Sequence, residues 1–493
     1  MAESIEELRQ KVQSAFAAAM TLADSPKRRS FASFESEAWT SLLALGRALA
    51  VLFLAHQAQR PRSPAYRRGG QAYRLDDRRV SDLGRRFGKV TFDRPVGRHP
   101  DDRRAAADLP VDRELGLCSG FTLGVVTGMT RLVAQMAFGV ARETYREIYE
   151  WAPSCPRALL RMVDAVGGRA RQFLEQAATP DDDGEFLFIQ VDGRGAPMIS
   201  DAEHERRRRP HEAREAGSTA RKRRRVRRKE QPRVRRAPGK KSKNAKVAIV
   251  GVLYTLQRTP DGIEGPIHKR LYATFESHRA LFAWLRNEAD KRGYGSKRTI
   301  FLGDGSAHIW RLQQEYFPLA EACIDWYHVM EYLWSGGTAL HKEGSAELRA
   351  WVGRQAKLLR HNSADDVIEE LRRIRREVPK TGPGTKGRRT RLDSTIKYLV
   401  DNRGRMIYEE LRRDDLDIGS GAVEGAVRNL VGMRLDGPGM RWSRQRSEMV
   451  LHLRCRLLNG QWTEFTRYLA AGPRLVLSAQ PAPAITHTAK KAA

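Results

Sequence analysis

The 493-residue sequence predicts an α/β fold: a mixed sheet with helices, interrupted by a helical insertion and preceded by a mainly helical region. Three observations carry this. Residues 185–191 (EFLFIQV), 246–256 (KVAIVGVLYTL) and 268–275 are apolar runs of strand length. Residues 277–334 alternate helical periodicity with two more short strands, 298–302 and 320–324. Residues 1–60 and 341–417 have helical spacing and no strand signal.

The first 60 residues read as helices through the three- and four-residue spacing of Trp39, Leu42, Leu43, Leu45, Leu49 and Leu52, with Ser33 or Ser36 capping the second. The most apolar stretch, 42–55, contains Arg47 and reads as too short and too charged to span a bilayer. No basic segment followed by an apolar run opens the chain, so no cleavable signal is expected. A Pro/Arg/Gly-rich stretch at 60–70 breaks the pattern, and 61–120 reads as an irregular linker module with short extended segments around 86–93. Residues 121–180 are helical again. After the stretch 122–150, Ser154-Cys-Pro-Arg opens a second helix with Pro156 in its first turn, predicted to stop at Gly167-Gly168. This second helix carries Arg157, Arg161 and Arg169, and the pair is either a helix-turn-helix DNA reader or an ordinary helical hairpin.

Beyond an acidic linker at 179–184 come the three strands, then helix, strand, helix, strand and a helix from Trp326. Three strands followed by alternating helix and strand is the order of a ribonuclease-H-like domain. That domain would occupy 185–340 and 418–470, with 341–417 as a helical insertion, 447–469 as its last helical stretch and 471–493 as a disordered tail.

Composition adds a partner. Lys and Arg number 89 against 59 Asp and Glu, a net charge of +30, while 41% hydrophobic content with nine Trp and sixteen Phe is enough for real cores. A soluble, cytoplasmic, nucleoid-associated protein with a polyanionic partner and no membrane is the expectation. Cys118, Cys155, Cys323 and Cys455 form no CxxC pair, which argues against a disulfide framework or a zinc ribbon. Half of the charge is local: residues 205–243 hold 19 Lys and Arg against four Glu, a net +15. Such a run cannot bury itself, so it reads as a disordered insertion, either solvated or gripping nucleic-acid phosphates through Arg223, Arg224, Arg225, Arg227, Arg228, Lys240 and Lys241.

The chemistry is read from acids. Phosphodiester transfer uses two metal ions held by carboxylates, and hard cations take oxygen ligands. An Asp that closes an apolar strand sits at a sheet edge where such ions can bind; Asp192 (FIQVDG) and Asp304 (IFLGDG) both do so, each followed by Gly. In 417–430 (DIGSGAVEGAVRNL) Ser420 is placed as an N-cap, Glu424 lies one turn inside, and Gly421 and Gly425 would let the helix approach the sheet closely. Arg428, four residues on, would orient Glu424 or contact a phosphate.

VDGRG, FLGDGSAHIW, ACIDWYHVMEYLW and GSGAVEGAVRNLVGMRLDGPGMRWS together resemble the motifs of bacterial insertion-sequence transposases of the Asp-Asp-Glu superfamily, in the Kra-like branch, over about residues 185–460. The resemblance implies a ribonuclease-H-like domain with a helical insertion, two Mg²⁺ ions for which Mn²⁺ may substitute, and cut-and-paste or copy-based strand transfer at terminal inverted repeats. Asp192, Asp304 and Glu424 would then be the catalytic and metal-binding triad. Asp325 and His328 resemble a recurrent Asp-x-x-His motif between the second and third acids; His328 would contact the scissile phosphate or position a water, or else is satisfied within its aromatic helix. Trp442 would stack on an unpaired base or belong to the core. Many relatives carry paired cysteines near the N-terminus, which this chain lacks.

The expected function is therefore a DNA transposase cutting and joining strands without a covalent protein–DNA intermediate, working on double-stranded transposon ends and target DNA as a homodimer or higher oligomer. The alternatives are a structure-selective nuclease on the same fold and an inactive or domesticated DNA-binding protein.

Overall fold

The computed structural model describes residues 3–477 except 103, 155, 177, 201–202, 204–244 and 438–439. The protein is a mixed α/β chain with a five-stranded mixed sheet, a small antiparallel sheet and N-terminal helices. It divides into two units: residues up to Phe173 together with those from Gly460, and Leu174–Asn459. The basic residues Arg223 to Lys241 named above, Cys155 and most of the C-terminal tail lie outside the described residues.

The first unit begins with α1 (Ile5–Ala23), opened by a capping box between Ser4 and Glu7, and α2 (Phe31–Gln59). The cap of α2 is Ser30, whose hydroxyl accepts from Ser33 N at 3.2 Å, and not Ser33 or Ser36, because the helix starts earlier than the apolar spacing suggests. At 29 residues α2 is long and apolar enough to cross a membrane by length and composition, contrary to the reading of 42–55 as too short.

Residues 61–120 are not an irregular linker. They form an antiparallel sheet of β1 (Ala65–Arg68), β2 (Gln71–Arg85) and β3 (Gly88–Arg98), followed by α3 (Pro110–Glu114). Arg86 and Phe87, expected inside an extended segment, make the turn between β2 and β3. Cross-strand ion pairs Arg78–Asp93 at 3.0 Å and Arg98–Asp77 at 2.9 Å stand where apolar alternation would otherwise announce a sheet. Leu54 and Ala58 of α2 pack with Leu83, Phe92, Val111 and Leu117 into this unit's core.

The stretch 122–150 is two helices, α4 (Leu123–Gln135) and α5 (Phe138–Tyr149). α6 (Pro156–Glu175) continues through Gly167-Gly168 instead of stopping there. Two interior glycines cost a helix about 1 kcal/mol each. The buried face of Leu159, Met162, Val163, Val166, Ala170 and Leu174 offsets that cost.

The second unit is built on β4 (Phe186–Pro197), β5 (Ala245–Thr259), β6 (Gly262–Thr274), β7 (Thr299–Gly303) and β8 (Glu321–Ile324), in the order β6-β5-β4-β7-β8. β4, β5 and β6 pair antiparallel, while β7 runs parallel to β4 and β8 parallel to β7. Three helices alternate with the later strands: α7 (His278–Lys291), α8 (Ala307–Tyr316) and α9 (Trp326–Gly337). Residues 346–413 form four helices, α10 (Ala346–Arg360), α11 (Ala364–Glu377), α12 (Thr385–Asn402) and α13 (Tyr408–Arg413). The chain then returns to the sheet through α14 (Gly421–Val427), one π turn, the short α15 (Met433–Leu435) and α16 (Arg444–Leu458). Residues 447–469 are not one helical stretch: α16 ends at Leu458, and α17 (Trp462–Ala471) belongs to the first unit.

A candidate acidic site at the sheet edge

Asp192 does not close β4. The strand runs five residues further, paired to β5 as far as Pro197 opposite Ala245. Its other neighbour, β7, pairs only with Leu187 to Gln190, the last register being Gln190 with Leu302. Two residues beyond that register lie Asp192 on β4 and Asp304 after β7, so the two acids stand abreast where β4 loses its parallel partner. The same counting places Asp325 beside Asp304, since Gly303 pairs with Ile324. Adjacent strands lie about 4.8 Å apart, so three Asp residues form a row along one end of the parallel strands.

Glu424 comes to this row on α14. Val423 N, in the first turn of the helix, is shared between Ser420 O at 3.0 Å and Oε1 of Gln190 at 2.9 Å, and Nε2 of Gln190 donates to the Tyr254 hydroxyl at 3.0 Å. Gln190 is fully buried and lies two residues before Asp192, hence on the same face of β4. A second clamp is Asp325, 1% exposed, whose Oδ1 accepts from Ser420 N at 2.6 Å and whose Oδ2 accepts from His328 N at 3.0 Å and pairs with His328 Nδ1 at 2.6 Å. Ser420 Oγ then donates to Glu424 Oε1 at 2.8 Å. Ser420 thus holds the Glu424 carboxylate and makes no side-chain cap.

Of the two roles expected of Arg428, orienting Glu424 falls to Ser420, for Arg428 forms no ion pair with Glu424 among the described residues; its side chain is exposed, as contact with a phosphate requires. A Cβ at Gly421 or Gly425 would meet nothing within 4 Å, so neither glycine is needed for close approach. Gly305 is the glycine the site requires: its φ is +91°, and a Cβ there would lie 2.7 Å from the Tyr398 ring, whose hydroxyl donates to the Asp304 carbonyl at 3.2 Å.

Each acid has one oxygen tied locally: Asp192 Oδ1 to Gly193 N at 2.6 Å, Asp304 Oδ1 to Ser306 N at 2.9 Å, and Glu424 Oε1 to Ser420. Their second oxygens have no hydrogen-bond partner among the described residues. Burial, with repulsion from Asp304 and Glu424, pushes the Asp192 carboxyl up, against the Gly193 N–H and the His328 charge. The four side chains therefore share one electrostatic neighbourhood. All three acids offer oxygen donors, the set that hard divalent cations take, and their mutual repulsion is what such a cation relieves. Among the described residues, no group of three or more His, Cys, Asp or Glu side chains is placed to hold one metal ion.

His328 is pushed up to about 9, chiefly by its hydrogen bond to Asp325, against the opposing effect of burial. Burial alone would raise Asp325, but the bonds from His328 and Ser420 hold it below its ordinary value. At neutral pH His328 is thus a cation beside the acids. Because its folded pKa exceeds the ordinary 6.5, the pair stabilises the fold fully below about 6.5 and loses that contribution as pH rises through about 9. The stability gap between wild type and His328→Gln, measured by urea unfolding, is expected to shrink from pH 6 to pH 9.5; an equal gap at both would contradict the assignment.

Sequence reasoning missed Gln190, the role of Ser420, and a histidine pair: His278 and His308 meet edge-on at 4.9 Å, and burial followed by His308 pushes His278 down, with Asp304 opposing. The one available signal was Gln190 as the lone polar residue inside an apolar strand.

The expected DNA contacts divide. Arg157 is exposed and Arg161 half-buried, one turn apart on α6. Trp442 is a correction: it is 7% exposed, its Nε1 donates to Leu435 O at 3.1 Å and the Arg434 guanidinium covers its ring at 4.7 Å, which leaves no face for a base. Cys118, Cys323 and Cys455 are buried free thiols. No protein-family model matches the chain, and no curated protein matches it.

Proposed function

We propose that the chain is a DNA transposase of the Asp-Asp-Glu kind, built on a ribonuclease-H-like sheet, whose acids Asp192, Asp304 and Glu424 serve metal-dependent phosphoryl transfer at the ends of a mobile element. The observation that carries this reading is the parallel-strand register that sets Asp192 and Asp304 abreast with Glu424 held over the same face. The strand order β6-β5-β4-β7-β8, three antiparallel and two parallel, with a helical insertion before the third acid, supports it.

Asp192 and Asp304 would hold one Mg²⁺ and Asp192 and Glu424 a second, an arrangement suited to an ion that binds through one or two carboxylates and completes its shell with water and substrate phosphate. When bound, the ions activate the attacking oxygen and stabilise the leaving one. The chain's own part is placement. Gln190 and Tyr254 fix the helix, Asp325 and Ser420 fix Glu424, and His328 contributes a positive charge beside the reacting phosphate. The polyanionic substrate agrees with the +30 net charge.

The test is an assay of purified protein with Mg²⁺ on DNA that flanks its own gene. Expected are a cut at terminal inverted repeats that leaves a 3′-hydroxyl, and joining of that end to a second duplex. Cutting without joining would make the protein a nuclease, and binding without cutting would make it a DNA-binding protein only.

A further inference from the structure

A second basic cluster, separate from residues 205–243, lies at the elbow between α11 and α12. Residues 372–391 contain nine Lys and Arg and one acid, Glu377. Four of these cations are accounted for: Arg372 and Arg376 face Glu369, Arg373 faces Glu377 and Arg375 faces Asp393. The remaining five, Lys380, Lys386, Arg388, Arg389 and Arg391, have no acidic partner among the described residues. Arg388 bonds to the carbonyl of Ala339, Arg391 to Thr338 and Arg389 to Val378, at the C-terminal ends of α9 and α11. Those carbonyls fix the guanidinium groups without neutralising them.

The cluster is unfavourably placed for an empty surface. Lys386 and Arg388 occupy the first turn of α12, where the helix dipole repels cations, and no acid stands there to compensate. Arg375, Arg376, Lys380 and Arg389 line an open groove at the same elbow. Both features are relieved by a polyanion. The same helix leads to the acidic site, for Tyr398 of α12 donates to the Asp304 carbonyl and stacks on Tyr332 of α9 with ring centroids 3.8 Å apart. From Lys386 to Tyr398 is twelve residues, about 18 Å of helix at about 1.5 Å per residue.

We propose that this elbow is a second phosphate-gripping surface, which holds the backbone of duplex DNA about five base pairs, half a turn at about 3.4 Å per pair, from the phosphodiester at the acids. The inference rests on the function proposed above. It assigns the insertion the task of fixing the register of the duplex relative to the cut.

Lys380 and Lys386 are exposed and their ammonium groups bond to nothing among the described residues, the one side-chain bond to Lys386 being from the Thr390 hydroxyl to its backbone carbonyl, so Lys380→Gln/Lys386→Gln tests the surface without loosening the fold. The full-length chain is titrated with a duplex carrying its gene-flanking ends across a range of salt, and the bound DNA is footprinted with hydroxyl radicals. The double variant is expected to show a log–log salt slope shallower by about two, close to 0.9 per lost phosphate contact, and to lose protection in one patch about half a turn from the cut. Unchanged slope and footprint in a chain that still cuts would overturn this inference alone. A wild-type chain that binds no duplex would overturn the function as well. Arg388→Lys, which keeps the charge, is expected to leave the slope within about 0.3 of wild type; a fall as large as that of the double variant would show that packing, not charge, is what the elbow provides, and would also overturn the inference.

Discussion

A chain carrying Asp192→Asn is expected to bind duplex DNA as tightly as the wild type and to cut it at least about 10³-fold more slowly, because the substitution removes the one carboxylate shared by both proposed ion sites while keeping the side chain's shape. Asn can still accept from Gly193 N, so the strand should not move. The same change should stabilise the fold. Asp192 is raised above the ordinary carboxyl value by burial and by repulsion from Asp304 and Glu424, so its ionised form costs stability at neutral pH, and that cost disappears with the charge. Thermal unfolding at pH 7.5 and single-turnover cleavage on the same preparation check both statements. Cleavage within tenfold of wild type would remove Asp192 from the site. A melting temperature below wild type would show that the acids do not repel one another as argued. This opposition between stability and activity is expected wherever like charges are held together for function.

The second large effect is Asp325→Ala. The carboxylate is 1% exposed and accepts from Ser420 N, His328 N and His328 Nδ1. Removing it leaves a half-buried histidine cation without its partner and a buried backbone N–H without an acceptor, a class of change that costs about 3–5 kcal/mol. It also frees Ser420, which holds Glu424, so cleavage should fall with stability. Asp325→Asn keeps an acceptor for Ser420 N but loses the charge opposite His328, and should fall between the two. Urea unfolding with unchanged m-value measures the cost; a loss below about 1 kcal/mol would mean the clamp is not made.

Much of this site was legible before the structure because it depends on local pattern. Two apolar runs each followed by Asp-Gly identify two strands with an acid at the same level, and parallel pairing of β4 with β7 then brings Asp192, still within β4, and Asp304, just after β7, together. What was not legible depends on partners distant in sequence. Asp192-Gly-Arg-Gly-Ala-Pro197 looks like a turn, yet it stays extended because β5 is long enough to pair with all of it. Gln190 and Ser420 act through hydrogen bonds to residues 233 and 4 positions away, and only the shorter of these separations leaves a trace in helical spacing. β2 was invisible because its outward positions are charged and its cross-strand partners are salt-bridged. Trp442 looked available because it sits in a Gly-rich stretch, whereas Arg434, eight residues earlier, folds over its ring.

The central claim, that the acid row holds divalent metal during strand cleavage, is tested most directly by changing the ligand and then the metal. Asp192→Cys replaces a hard oxygen donor with a soft thiolate, which favours softer ions over Mg²⁺. Cleavage of the gene-flanking duplex by this variant is expected to be undetectable in Mg²⁺ and to return when Mn²⁺ or Zn²⁺ replaces it, while Asp192→Asn stays inactive in every metal. If the Cys variant cut equally well in Mg²⁺, or if no ion restored it while Asp192→Asn remained active, Asp192 would not be a metal ligand and the account of the site would be wrong.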